Sequence, residues 1–118
     1  MVFELHVSEW LNSDKALGLT DFHGRVLAIE VFQMLCPGCV SHGLPQVQRI
    51  AQTFAKEDVA VIGLHSVFEH HAAMTPVSLR AFLHEYRITF PVAVDAPGTG
   101  PMPHTMAAWG LEGTPTLL

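Results

Sequence analysis

The chain is short of several things that would each point to a function. Only six of its 118 residues are lysine or arginine, against eleven aspartates and glutamates, and the formal net charge is −5. Clustered cations are what neutralise a phosphate backbone, so this balance argues against a nucleic-acid partner. No run is long and apolar enough to span a bilayer. The first ten residues, Met1 to Trp10, carry Glu4, His6 and Glu9 in place of a basic stretch followed by an apolar block. As written they do not read as a secretory signal, which favours a cytoplasmic location. There is no repeat and no low-complexity tract. The length suits one domain, taken as residues 1–118, and at 49% hydrophobic residues it can bury a core.

Cysteine is the most telling scarcity. The only two in the chain are Cys36 and Cys39, in the stretch Cys36-Pro37-Gly38-Cys39. A disulfide that serves as a staple gains most from closing a long loop, and this one would close a very short loop. Redox chemistry or metal binding is a better reason for the pair, above all in a reducing compartment.

The flanking pattern places the pair. Val26 to Phe32 is nearly all apolar and follows a turn at Asp21 to Arg25, as expected of a strand covered on both faces. After the cysteines, Leu44, Val47, Ile50, Ala51 and Phe54 recur at helical spacing within Val40 to Lys56, and Pro45 should kink that helix. Val59 to Leu64 reads as a second buried strand. His65 to Thr75 reads as a polar, His-rich loop. Pro76 opens a helix through Tyr86. Phe90 to Val94 is a short strand, Pro97 to Pro103 a loop, His104 to Leu111 a helix ended by Gly113, and Thr116 starts a last strand. Strand–helix–strand alternation implies an α/β fold with right-handed crossovers and a site beyond the C-terminal strand ends, where Cys36 falls.

That placement suits thiol chemistry. The thiolate is the reactive form, and a helix N-terminus stabilises it through unpaired N–H groups and the helix dipole. Pro37 suits the first helical position, and Gly38 leaves the approach to sulfur open. Cys36 is therefore the expected nucleophile, and Cys39, one turn further in, the buried resolving thiol. Glu30 is the only charge in its strand. It is either a strand-end carboxylate reaching solvent or a buried proton acceptor for Cys39, with a pKa raised by burial. Pro115, in Gly113-Thr114-Pro115-Thr116, cannot donate to a strand ladder. From residue physics alone it is an ordinary trans proline at a strand edge.

Taken together, the strand–CxxC–helix and the later Gly-Thr-Pro-Thr before an apolar run resemble the thioredoxin-like superfamily. The resemblance covers essentially the whole chain and is nearest to the TlpA-like and AhpC/TSA "redoxin" groups, or to the thioredoxin-like domain of NHL-repeat proteins. Trp10 to Ser13, the Gly24-Arg25 turn, Phe90-Pro91-Val92 and Asp95 support it. It implies a central mixed sheet flanked by helices, a cis Pro115 packed against the cysteines, and a Thr114 backbone that pairs with the substrate chain. It places Glu30 where thioredoxins carry a buried Asp. The implied function is a thiol–disulfide oxidoreductase acting on protein or small-molecule disulfides and thiols, without cofactor or metal.

The chain departs from the family pattern in four places. Leu35 stands where a Trp often precedes the first cysteine. Pro-Gly replaces Gly-Pro between the cysteines. His42 stands three residues after the second cysteine, where related reductases often carry an acid. The chain also reads as truncated before the fold's last strand and helix, with dimerisation or domain swapping as the expected result. Two other functions compete. A peroxiredoxin-like peroxidase would need Pro and Thr/Ser where Ile29 and Gln33 stand. A Cu/Zn module would use Cys36, Cys39, His42 and one of His65, His70 or His71.

Overall fold

A computed structural model describes residues 4–118. Met1 to Phe3, part of the segment read for a leader, lie outside the described residues.

Five strands form one sheet in the order β1-β4-β3-β2-β5. β2 (Val26–Phe32), β3 (Val59–His65) and β4 (Val92–Asp95) run parallel, with β2 against β3 from Val26↔Val59 to Phe32↔His65. β1 (Val7–Leu11) and β5 (Thr116–Leu117) are the antiparallel edges, on β4 and β2 respectively. The helices α1 (Leu44–Thr53) and α2 (Pro76–Glu85) connect the parallel strands, and α3 (His104–Ala108) follows β4. The parallel core is the α/β sheet that the alternation implied, and the mixed sheet flanked by helices is what the resemblance implied.

The two faces of β2 show why its sequence is apolar but for Glu30. Ala28 and Phe32 pack toward the helices, with Val47 of α1 and with Leu79 and Leu83 of α2. Ile29 and Val31 face the opposite layer, which includes Phe22, Trp10, Trp109 and Leu111. Phe32 and Val31 are wholly buried. A side chain such as Phe32 contributes about 2–3 kcal/mol through burial. Glu30, in register with the helix-facing residues, enters the same layer as a carboxylate and is only 1% exposed.

The elements differ from expectation at four points. The sequence pattern does not predict β1, because its Val-Ser-Glu-Trp-Leu run is half polar; its pairing with β4 covers an edge. The helix after the cysteines is not a single helix kinked at Pro45. Cys39–Gly43 is a π-helical turn, and Pro45 sits in the first turn of α1, where its absent N–H costs nothing. α3 closes at Gly110, in the left-handed region at φ +68°, and not at Gly113. His65 is the last residue of β3 and buried, not part of a polar loop.

The end of β4 is held by a buried carboxylate. Asp95 accepts the N–H groups of Thr105 (2.7 Å) and Met106 (3.0 Å) in the first turn of α3, and the Ser66 hydroxyl at 2.8 Å. It joins α3 to the ends of β3 and β4, on the side where the cysteines lie. Among the described residues, no helix is long and apolar enough to cross a membrane.

Candidate active site

The first cysteine sits just past the C-terminal end of β2. Gln33, Met34 and Leu35 turn the chain, closed by the Cys36 N–H donating to the Gln33 carbonyl at 3.2 Å. Two helical residues follow, then the π turn. The Cys36 carbonyl accepts the N–H groups of Cys39 (3.1 Å) and Val40 (3.2 Å), so Cys36 occupies the cap position of this helical segment. Its Sγ accepts a further bond from the Cys39 N–H at 3.4 Å.

The two sulfurs live in different surroundings. Both are free thiols; Cys36 is half-buried and Cys39 wholly buried. Burial pushes the Cys36 thiol up, but it is outweighed by hydrogen bonds from Cys39 and Thr114 and by the Cys39 and Gly38 N–H groups, so the net direction is down. Thr114 acts on this sulfur in two ways. Its carbonyl, 3.7 Å away, can take the thiol hydrogen, and its side chain favours the thiolate. At Cys39, burial and the hydrogen bond with Cys36 push the thiol up to about 12, against a smaller downward pull from the Gln33 backbone and Thr114.

Pro115 closes the site from the β5 side. The Thr114–Pro115 peptide bond is cis. Its ring faces Gly38, where an added Cβ would stand 3.4 Å from the Pro115 Cδ. Gly38 thus packs against the proline ring, and an added Cβ would make only ordinary van der Waals contact with it.

Glu30 lies beneath. Neither carboxylate oxygen has a hydrogen-bond partner, and burial raises its pKa to about 7. The solvent-reaching alternative is therefore not what the fold contains. A Cβ at Gly43 would fall on the Glu30 Oε1 and within 2.9 Å of the Pro115 Cβ. Gly43 closes the π turn that Cys39 opens. The glutamate and the proline thus both abut the end of the helical turn that Cys39 opens.

His65, Gln33 and Gly43 are site neighbours to which sequence reasoning gave no part in thiol exchange; His65 entered only as a possible metal ligand. The His65 Nε2 accepts the Met34 N–H at 3.2 Å and steadies the turn before Cys36; burial lowers its pKa to about 4. Gln33 is buried and bonded at both ends of its amide. A polar residue between a strand apolar but for Glu30 and a cysteine was the available signal. His42, His70 and His71 are exposed. Among the described residues, no group of three or more His, Cys, Asp or Glu side chains is close enough to hold a metal ion, so the residues of the Cu/Zn alternative are not gathered.

A half-buried thiol of lowered pKa and a buried thiol at a helix start, beside a cis proline in a five-stranded α/β fold, define the class: a thiol–disulfide oxidoreductase. No family model and no curated protein matches the chain. Among solved structures, a protein described as thioredoxin-like superfamily is 60% identical, with TM-score 0.95, over 97% of this chain and 74% of that one. A thiol-disulfide isomerase from Corynebacterium glutamicum is 52% identical, with TM-score 0.93, over 99% of this chain and 76% of that one. An exposed lipoprotein thioredoxin from Streptococcus pneumoniae, at 21% identity and TM-score 0.64 over 98% and 77% of the two chains, shares the fold. The chain belongs to the thioredoxin-like superfamily.

Proposed function

We propose that the chain exchanges disulfides with polypeptide substrates through Cys36 and Cys39. The observation that carries this is the opposed tuning of the two thiols, with Cys36 accessible and lowered and Cys39 buried and raised. The Cys36 thiolate attacks one sulfur of a substrate disulfide. A Cys36–substrate bond forms, the substrate disulfide breaks, and the other substrate sulfur leaves as thiolate. Cys39 then loses its proton and attacks the Cys36 sulfur. The Cys36–Cys39 disulfide forms and the second substrate thiolate leaves. Two electrons pass to the substrate, and the reverse sequence oxidises it.

Glu30 is the proton acceptor for Cys39 in this scheme. A carboxyl with a pKa near 7 exchanges a proton readily at neutral pH, and Glu30 is the carboxylate buried at the turn Cys39 opens. Thr114 and Pro115 supply the substrate contact: Thr114 stands against the Cys36 sulfur, and an extended substrate chain laid along it would bring its disulfide there.

Cys39→Ser tests the order of attack. Incubated with a polypeptide disulfide, it should accumulate a mixed disulfide through Cys36, visible as a mass increase that a reductant removes. The double variant Cys36→Ser, Cys39→Ser should trap nothing. A mixed disulfide on the double variant, or none on the single variant with Cys36 present, sinks the scheme.

A further inference from the structure

Gln33 is 1% exposed, and both ends of its amide are engaged. Oε1 accepts the Phe68 N–H at 3.2 Å, and Nε2 donates to the Thr114 Oγ1 at 3.4 Å. A backbone N–H can only donate, so the Phe68 bond fixes which end of the amide is which. The main chain of the same residue serves the thiols. Its carbonyl accepts the Cys36 N–H, and its backbone hydrogen bond to Cys39 favours the thiolate there.

The topology gives these bonds a direction. β2 lies between β3 and β5. Phe68 belongs to the segment leaving β3, and Thr114 to the segment entering β5. The Gln33 amide therefore links the loops on either side of the cysteine loop. A buried amide costs about 1–3 kcal/mol wherever a partner is lost, while an apolar side chain of similar length would fill the space at no such risk. A residue kept polar here is suited to holding two loops at a set separation.

We infer that Gln33 is a positioning residue that holds the Thr114 and Phe68 segments as the two walls between which a polypeptide disulfide reaches Cys36. The inference rests on the exchange reading above. A small disulfide needs only the sulfur, whereas a polypeptide disulfide also needs the walls. Removing the amide should therefore discriminate between the two substrates.

The test compares exchange rates on insulin and on hydroxyethyl disulfide. Gln33→Met keeps the length and removes both polar ends. It should lower the insulin-to-small-disulfide rate ratio about tenfold, equivalent to about 1.4 kcal/mol. Gln33→Glu keeps the amide's pattern only while its carboxyl is neutral, with one oxygen accepting from Phe68 and the hydroxyl donating to Thr114. Its insulin-to-small-disulfide rate ratio should match wild type at low pH and fall toward the Gln33→Met ratio as pH rises. If Gln33→Met does not fold, that pH-dependent ratio decides alone. Equal slowing on both substrates, or a ratio unchanged in both variants, overturns the positioning role while leaving exchange intact. A wild-type chain inactive on both substrates removes the exchange reading and this inference with it.

Discussion

Replacing Glu30 by glutamine should alter the pH dependence of stability in one defined way. Burial raises the folded pKa of Glu30 from 4.5 to about 7. Between those values the folded chain holds a proton that the unfolded chain releases, so stability falls as pH rises. The slope is about 1.4 kcal/mol per pH unit, and the total is about 3 kcal/mol once pH exceeds 7. His65 acts in the opposite sense. Its pKa is lowered from 6.5 to about 4, so here the unfolded chain holds the extra proton and stability is lost as pH falls. From 4.5 to 6.5 the two slopes nearly cancel, and the Glu30 and His65 contributions to wild-type stability sum to a flat line that declines toward 7. In Glu30→Gln only the rising His65 slope remains, up to 6.5. Cys36 titrates in both chains and drops out of the difference. Urea denaturation of both reduced proteins from about pH 4 to 8.5 measures this. The variant should gain on wild type across the window by about 3 kcal/mol. A difference that stays constant with pH would mean the carboxylate is solvated and ordinary, and the proton-acceptor role would lose its basis.

Two further substitutions probe the packing around the thiols. Gly43→Ala should gain up to about 1 kcal/mol of helix propensity but place a methyl on the Glu30 carboxylate and the Pro115 ring, for a net loss of about 1–3 kcal/mol in urea denaturation. The loss should shrink in a Glu30→Ala background; a net gain in the wild-type background refutes the contact. Asp95→Asn weakens three hydrogen bonds that join α3 to Ser66 and should cost about 2 kcal/mol by the same assay, and an unchanged midpoint would show the carboxylate to be dispensable.

How much of this was legible follows from what each residue's pattern reports. The bounds of β2 and the start of β3 coincide with the sequence reading, because a strand buried on both faces writes itself as a nearly continuous apolar run, interrupted in β2 only by Glu30. α2 was legible from Pro76 and the Leu79–Leu83 spacing. Cys36 and Cys39 were legible from scarcity and spacing. β1 was not, since Ser8 and Glu9 interrupt its apolar pattern: Ser8 falls at a register shift against β4, and Glu9 is half-buried beside Arg80. The π turn was not: the close approach of Gly43 to Glu30 and Pro115 at its end is a contact between residues distant in sequence. His65 and Gln33 look like loop polar residues until the fold buries them. Their partners, Met34, Phe68 and Thr114, come from three separate chain segments.

In the proposed mechanism, the contrast between the two thiols lets Cys39 be inert at rest and competent when needed. Part of what raises the Cys39 pKa comes from Cys36 itself, through their hydrogen bond and the negative charge on its sulfur. In the proposed mechanism the first attack ties that sulfur into a mixed disulfide and cancels its charge. The Cys36 causes then vanish, and burial remains as the chief opposition to the Cys39 thiolate. The Gln33 backbone and Thr114, which favour the thiolate, stay in place. Cys39 thus becomes easier to deprotonate only after a substrate is bound covalently, with Glu30, near pKa 7, buried at the same turn to take the proton. A surface-exposed second cysteine would compete for substrate from the start. Burying it makes its activation conditional on the first step, which keeps the two attacks in order.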